Sequence, residues 1–373
     1  MGRARAGAGE LREHGSGAKA AGGSSVSFGR PGHACMCIYV AILLLLPAAA
    51  QSSSELAQLL RQGQSALDAG DYASASANFE KARQLAPESL EANRGLLLSE
   101  LQEGRLNDAE EVGRSAAARW PRDPQIQHWL GLVFFKQGRN PEALETLRKS
   151  ESLDGSQFDI HFDIALVLLS SAQFPEAAKE LEQATKLDPK NATAHILLGR
   201  AYQNTNRTEQ AIGQFETALR VDPKVSLGHY HLGFAYASLG RNVAAIAEYE
   251  QEIVNSPKNP AVLHQLGHCL LEAGDYKRAV TYLTQAAELD PQNADTSYDL
   301  GKALLLAGEP EAAQSPLRHA IELKPDDPTP HYQLARALQK LGRADDAKHE
   351  LEIFAGLKKA QPVTGGMATG RSQ

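Results

Sequence analysis

Apolar residues recur along most of this chain at intervals of three and four, with polar residues between them. The stretch from His195 shows the pattern in two halves, with Ile196, Leu197 and Tyr202 in the first and Ile212, Phe215 and Leu219 in the second. This spacing puts the apolar side chains of each half on one face of a helix. The pattern therefore predicts pairs of amphipathic helices rather than strands.

The pattern repeats every 34 residues, and nine units fit without insertion when the first begins at Leu56. The units are 56–89, 90–123, 124–157, 158–191, 192–225, 226–259, 260–293, 294–327 and 328–361. The twentieth position is alanine in every unit, from Ala75 to Ala347, and the eighth is glycine or alanine in all but one. A length of 373 residues would suggest two or three domains, but this regularity predicts one continuous array over 51–361.

Each recurring residue type has a physical reason. Small residues at the eighth and twentieth positions let two helices approach closely, which justifies a mid-helix glycine that costs about 1 kcal/mol relative to alanine. Glycine or asparagine at the fifteenth position ends the first helix, and proline at the thirty-second follows the second helix. The twenty-fourth position is large and apolar in most units, as at Phe79 and Phe215.

These features resemble the tetratricopeptide repeat, a 34-residue helix–turn–helix unit with the same small, large and proline positions. The resemblance implies an all-α, right-handed superhelical solenoid. Its first helices would line a concave groove and its second helices would form the convex back. Because one helix pair cannot bury its own apolar face, stacking of neighbours would supply the core.

Two units depart from the pattern. Unit two has Leu97 at the eighth position, Glu100 at a usually apolar position and Gly113 in place of a large residue, so we expect the least stable interface there. The last unit carries Phe354 where alanine is usual, and we expect its second helix to act as a cap. The tail, residues 362–373, has the composition of a disordered segment.

The first fifty residues are a different kind of sequence. Residues 1–34 are rich in Gly, Ala, Arg and Ser, which predicts disorder. Residues 35–50 form an apolar run that is short for a membrane span and ends in Ala48-Ala49-Ala50, as a cleaved signal peptide does. We expect export to a periplasmic or extracellular compartment, and an uncleaved N-terminal membrane anchor is the alternative.

Composition excludes several classes of function. A net charge of −7 argues against a general nucleic-acid binder, which needs a basic surface. Cys269 is the one cysteine outside the N-terminal segment, where we expect it to be a small buried apolar residue. Phosphate-binding glycine loops, nucleophile elbows and paired CxxC motifs are missing from the sequence. We therefore predict no catalytic residue, no cofactor and no small-molecule substrate.

The resemblance also indicates which side chains would face the groove. Among fifth-position residues we take Phe162, Tyr230, His264, Tyr298 and Tyr332 as candidate anchors for a peptide, because such rings bind at low entropic cost. Ninth-position cations, Arg200, Lys302 and Arg336, are candidates to pair with acidic groups of a ligand.

Histidines offer an alternative chemistry in the groove. His264 and His268 lie four apart on one helix face, and the family's geometry places Asp299 of the next unit beside them. Two imidazoles and a carboxylate suit a divalent metal, but polar groove residues without a metal are the simpler interpretation. His161, His195, His229 and His331 all occupy the fourth position, where we expect a structural role.

The sequence thus predicts a non-catalytic scaffold that binds a protein or an extended peptide in its groove. Alternatives that stay open are an envelope-assembly or secretion factor and a metal- or sugar-binding solenoid. Self-association through the ends of the solenoid is a further alternative, because poorly capped ends stack readily.

Overall fold

A computed structural model describes residues 52–360, which are helical apart from short turns, with no strand among them. The first helix of each pair is α1 (52–68), α3 (Leu90–Glu103), α5 (Pro124–Lys136), α7 (Phe158–Ser170), α9 (Ala192–Asn204), α11 (Gly228–Ser238), α13 (Pro260–Glu272), α15 (Ala294–Ala307) and α17 (Pro328–Lys340). The second is α2 (Tyr72–Leu85), α4 (Leu106–Arg119), α6 (Asn140–Leu153), α8 (Phe174–Leu187), α10 (Thr208–Val221), α12 (Asn242–Asn255), α14 (Tyr276–Leu289), α16 (Pro310–Leu323) and α18 (Ala344–Ala360). The predicted all-helical array of helix–turn–helix pairs is confirmed.

The last position of a unit sets where the next first helix begins. Asp, Asn or Ser at that position caps the helix by accepting a backbone N–H, as at Ser89, Asp123 and Asn293. Val225 holds this position before α11 and carries no side-chain acceptor. There α11 begins late, at Gly228, and Leu227 before it takes a left-handed conformation with φ +57°.

The turn inside each pair has one backbone conformation throughout the described residues. Every fifteenth position has a positive φ. These residues are Gly70, Gly104, Gly138, Ala172, Asn206, Gly240, Gly274, Gly308 and Gly342. The predicted role of the fifteenth position in turning the chain is confirmed, and at Ala172 the turn forms in spite of the side chain.

Packing within a pair follows the predicted contrast of small and large residues. A Cβ atom on Gly199 would stand 2.4 Å from the Phe215 ring, and one on Gly301 would stand 2.4 Å from Leu317. The same positions lie close to the backbone of the twentieth residue, because a Cβ on Gly301 would be 3.3 Å from the Ala313 carbonyl oxygen. The eighth position is therefore small because the twenty-fourth side chain fills the space above it.

Unit two reverses this arrangement without losing the contact. Leu97 is fully buried at the eighth position, and Gly113 occupies the twenty-fourth. A Cβ on Gly113 would lie 3.2 Å from Leu97 and 2.9 Å from Leu130. The large and small residues have changed places, so neither departure is a packing defect, and Glu100 is left as the physical reason to expect a weak interface.

Among the described residues, 59–360 form one compact unit, and residues 52–58, which are helical, belong to a separate unit. Among the described residues, none of the helices combines the length and apolarity needed to cross a bilayer. The predicted signal segment 35–50, the leader before it and the tail after residue 361 lie outside the described residues.

Candidate functional site: the concave surface

Most successive first helices among the described residues pack against one another, and this defines the inner face of the array. Close backbone approaches join α3 to α5, α5 to α7, α9 to α11, α11 to α13, α13 to α15 and α15 to α17. Among the described helices, second helices contact their own and the next first helix but do not pack on each other to the same extent. The first helices therefore line the concave surface, as the resemblance implied.

At the positions that the resemblance assigns to this surface, units three, four and six carry apolar side chains. Trp129, Leu132, Phe162 and Leu166 are half-buried, and Phe234 is 41% exposed. Phe162 stacks on Phe158 with a centroid distance of 5.2 Å. We call this set the apolar row; its members are Trp129, Leu132, Phe162, Leu166 and Phe234. Sequence reasoning selected only Phe162, although leucine or phenylalanine at the ninth position of several units was a readable signal.

Tyr230 lies at the end of the apolar row and packs on the core. Its ring is 6.0 Å from that of Tyr249 and 5.4 Å from that of His231. Burial raises the pKa of Tyr230, so its hydroxyl stays protonated. Burial, with a smaller contribution from Arg200, lowers the pKa of His231 to about 4. The groove thus presents a neutral imidazole and a phenol at this point.

A polar cluster follows in units seven and eight, where the sequence predicted it. His264 Nε2 is 3.2 Å and His268 Nδ1 is 2.9 Å from the same oxygen, Asp299 Oδ2. Asp299 is buried. Burial opposes its ionisation, but the two imidazole hydrogen bonds outweigh this and lower its pKa to about 2. The hydrogen bond to Asp299 in turn raises the pKa of His268.

The geometry of this cluster is that of two rings held by one carboxylate oxygen. A compact set of three atoms that could ligate a metal ion, all within 4.8 Å of one another, is found elsewhere among the described residues, at Glu151, His161 and Glu180. There Arg148 Nη1 already donates to Glu151 and Glu180, at 2.8 and 2.6 Å. A guanidinium group therefore balances the two carboxylates.

A second His–Asp contact links units three and four at equivalent positions. His128 Nε2 lies 2.6 Å from Asp163 Oδ2. The separation of 35 residues is the same as between His264 and Asp299, so the pairing could have been read from the sequence but was missed. Each pair joins a fifth position to the sixth position of the next unit and ties neighbouring first helices together.

The three predicted cations differ in their surroundings. Arg200 is exposed. Lys302 donates to Glu272 at 2.9 Å, and Arg336 donates to Gln333 Oε1 at 3.1 Å. An acidic ligand would therefore have to displace partners from the second and third cations, whereas the Arg200 side chain extends into solvent.

The remaining predicted anchors lie towards the end of the array. Tyr298 is half-buried, and Tyr332 is 42% exposed with its ring 5.4 Å from Phe354. Phe354 thus covers part of Tyr332 in the terminal pair, and Lys358 lies over the Phe354 ring. These contacts fit the expected capping role of α18.

Histidines at the fourth position have the structural role that the sequence predicted. Each ring nitrogen Nδ1 lies 2.7 Å from a side-chain oxygen nineteen residues further on. The pairs are His161–Glu180, His195–Gln214, His229–Glu248 and His331–Glu350. Cys269 is buried, and burial raises its pKa to about 11, so the thiol is protonated at neutral pH.

Comparison with protein families agrees with this architecture. Three models, each described as tetratricopeptide repeat, match residues 168–233 and 270–322, residues 60–124 and 114–157, and residues 328–352. A search of curated proteins found no match.

Similar solved structures include a chain of the APC/C hetero-tetramer Cut9–Hcn1, at 18% identity and a TM-score of 0.49. That alignment covers 72% of this chain, which spans about half (52%) of that protein. YrrB, described as a TPR protein with an unusual peptide-binding site, is 24% identical with a TM-score of 0.45, over 50% of this chain and 96% of its own. PilF of Pseudomonas aeruginosa is 22% identical with a TM-score of 0.49, over 56% and 96%. At these identities the similarity concerns the fold alone.

Proposed function

We propose that this chain, which contains tetratricopeptide repeats, is a non-catalytic interaction scaffold that binds a protein or an extended peptide along its concave surface. The observation that carries the proposal is the apolar row. A stripe of half-exposed aromatic and aliphatic side chains on an inner face offers the pockets and rings from which interfaces draw most of their affinity. The helical pairs hold these side chains in place, so little ordering entropy is lost on binding.

The most informative test changes only exposed side chains. Phe234 and Tyr332 lie on first helices and are 41% and 42% exposed. Val243 and Val254 lie on the second helix α12 and are 83% and 78% exposed. A groove variant with Phe234→Ala and Tyr332→Ala is compared with a control variant carrying Val243→Ala and Val254→Ala.

We expect a partner captured by the native chain to be lost or at least tenfold weaker with the groove variant and retained by the control variant. Removing an aromatic side chain that anchors an interface typically costs about 2 kcal/mol or more, which corresponds to such a factor. Circular dichroism checks that both variants are folded. A partner that both variants retain equally would place the interface elsewhere and contradict the proposal.

We propose further that the units number nine and that the protein is exported. The repeat count is supported by the positive φ at every fifteenth position, and export by the apolar run 35–50 and the small residues that end it. N-terminal sequencing of the mature protein tests export. A chain that begins near Gln51 supports it, and recovery of residues 1–50 on the mature protein contradicts cleavage.

A further inference from the structure

A second candidate site lies between α2, α3 and α4. It is an open cleft of about 430 Å³, which we call the acidic cleft. Its carboxylates come from Glu80, Glu100, Glu103, Asp108 and Glu111, and its cations are Arg83 and Arg105. Carboxylates therefore outnumber guanidinium groups by three. Leu96 and Val112 supply an apolar part of the lining.

Glu100 is the unusual member of this cleft. The residue is only 6% exposed, and its Oε2 atom is buried with no hydrogen-bond partner among the described residues. Its other oxygen is 3.6 Å from Arg105 Nη2, beyond hydrogen-bond distance. A buried carboxylate oxygen without a hydrogen-bond donor destabilises the folded protein. A ligand that donates a hydrogen bond to this oxygen would remove that cost.

The two arginines of the cleft already have other partners. Arg83 Nε lies 2.9 Å from Glu80, and Arg105 Nε lies 3.0 Å from Glu103. Burial raises the pKa of Glu100 to about 7, with Glu80 and Asp108 adding to the effect and Arg83 and Arg105 opposing it. The two arginines of the cleft thus compensate the negative charge of the Glu100 carboxylate only in part.

The same position elsewhere in the chain shows what such a cleft accommodates. Glu100 is at the eleventh position, which is Tyr202 in unit five. The Tyr202 hydroxyl donates to Glu182 at 2.8 Å, and the Arg207 guanidinium lies over the Tyr202 ring at 4.0 Å. Glu182 corresponds to Glu80 in the acidic cleft. At that junction a hydroxyl donor and a planar cation therefore lie beside Glu182. In the acidic cleft, by contrast, Glu100 adds a further hydrogen-bond acceptor.

We propose that the acidic cleft binds the guanidinium group of an arginine side chain presented by a partner protein. A guanidinium group carries five N–H donors in a planar fork, so it can bridge two carboxylates. Leu96 and Val112 suit the apolar stem of the side chain. A small metal ion fits less well, because among the described residues the cleft contains no group of three ligand atoms within 4.8 Å of one another.

The test uses the full chain and short peptides that differ at one side chain. A capped tripeptide Ala-Arg-Ala is titrated by calorimetry beside the same peptide with citrulline, which keeps the shape of arginine and removes its charge. The cleft variant is Glu100→Gln. The control variant is Glu145→Gln, which makes the same change at an exposed glutamate in the next cleft along the array.

We expect the arginine peptide to bind the native chain at least tenfold more tightly than the citrulline peptide, because charge-assisted hydrogen bonds provide most of the recognition. Glu100→Gln should weaken binding about tenfold and Glu145→Gln by less than twofold. Binding to the native chain should tighten between pH 6 and pH 8 as Glu100 loses its proton, and this change should be absent in Glu100→Gln.

Glu103→Gln provides a second measurement that leaves the buried core untouched, since Glu103 is exposed at the rim. We expect it to weaken binding about threefold, as the loss of one partly solvated ion pair does. Equal binding of the citrulline peptide, an unchanged affinity in folded Glu100→Gln, or binding of Ca²⁺ without binding of the arginine peptide would each overturn the proposal. The groove variant should bind the arginine peptide normally, which separates this site from the concave surface.

Discussion

At the scale of single residues, the turn at the fifteenth position makes the same demand on very different side chains. Glycine takes the left-handed conformation freely, but Ala172 and Asn206 adopt it with φ of +55° and +59°. Asparagine tolerates this region because its short polar side chain bonds locally, whereas alanine gains no such compensation. The strain at Ala172 is therefore maintained by the packing of the helices on either side.

Replacing Ala172 with glycine should stabilise the protein by about 0.5–1 kcal/mol. The substitution removes the energy that alanine needs to adopt a positive φ, and the greater entropy of glycine in the unfolded chain offsets only part of this stabilisation. Urea denaturation measures this. Ala247→Gly, at an exposed position inside α12, should instead destabilise by about 1 kcal/mol. If both changes destabilise equally, the turn at Ala172 stores no strain.

Glu100 provides a prediction on pH. Its pKa is about 7 in the folded protein, above the ordinary 4.5, so between these values the folded state holds a proton that the unfolded state has lost. Stability from this group is therefore present below about pH 4.5 and decreases as pH rises to about 7. The full change is about 3 kcal/mol.

Glu100→Gln should remove this decrease. The free energy of unfolding of the variant, relative to that of the native protein, should therefore rise by about 2–3 kcal/mol between pH 5 and pH 8. Denaturation midpoints of both proteins at each pH give the difference and cancel the titration of other groups. An identical pH dependence of the two proteins would show that Glu100 is not held in a protonated state.

At the scale of elements, the pair α3–α4 shows that large and small residues are required together but not in a fixed order. Leu97 and Gly113 reverse the arrangement found at Gly199 and Phe215, and both versions bring one large side chain against one small residue. Reading the positions one by one made each residue look like a defect. The reciprocity appears only when the contact between the two helices is known.

This reciprocity predicts a coupled pair of substitutions. Leu97→Ala alone should cost about 2–5 kcal/mol through the cavity it leaves, and Gly113→Leu alone about 1–3 kcal/mol through overpacking against Leu97 and Leu130. The double variant should cost at least about 1 kcal/mol less than the sum. Additive effects in a double-mutant cycle by urea denaturation would mean that the two residues do not share one space.

Sequence reasoning was most successful where a physical requirement falls on one position. The turn needs a residue that tolerates positive φ, and the resemblance to the tetratricopeptide repeat was enough to place Asp299 beside His264 and His268. It was least successful where the requirement is shared between distant residues. Lys302 and Arg336 looked free until their contacts with Glu272 and Gln333 were known, and Glu100 was noticed as a departure without its cleft.

At the scale of the whole molecule, each helix pair packs mainly on its immediate neighbours. Stability is then approximately a sum of unit and interface contributions, and the least favourable interface opens first. The interface between units one and two contains a buried glutamate with an unpartnered oxygen, whereas the junction at Tyr202 has a satisfied hydroxyl.

Hydrogen exchange should therefore detect a gradient along the array. Amides of α3 and α4 should exchange faster than those of α13 to α16, by about tenfold or more if the interfaces differ by over about 1.4 kcal/mol. Glu100→Leu, which places an apolar residue as at Leu168 and Leu270, should slow exchange in α3 and α4 only. Maximum protection in units one to three would contradict this view.

The constant turn has a consequence for how such a gene changes length. Every described pair turns at the fifteenth position and meets the next pair after the same interval, so an in-frame loss or gain of 34 codons keeps the register of all remaining contacts. A single inserted codon within a helix rotates the following side chains by about 100° and moves the buried face into water. Mutation by whole-block duplication or deletion is thus far better tolerated than a small insertion, and the length of the binding surface can vary between descendants in discrete steps.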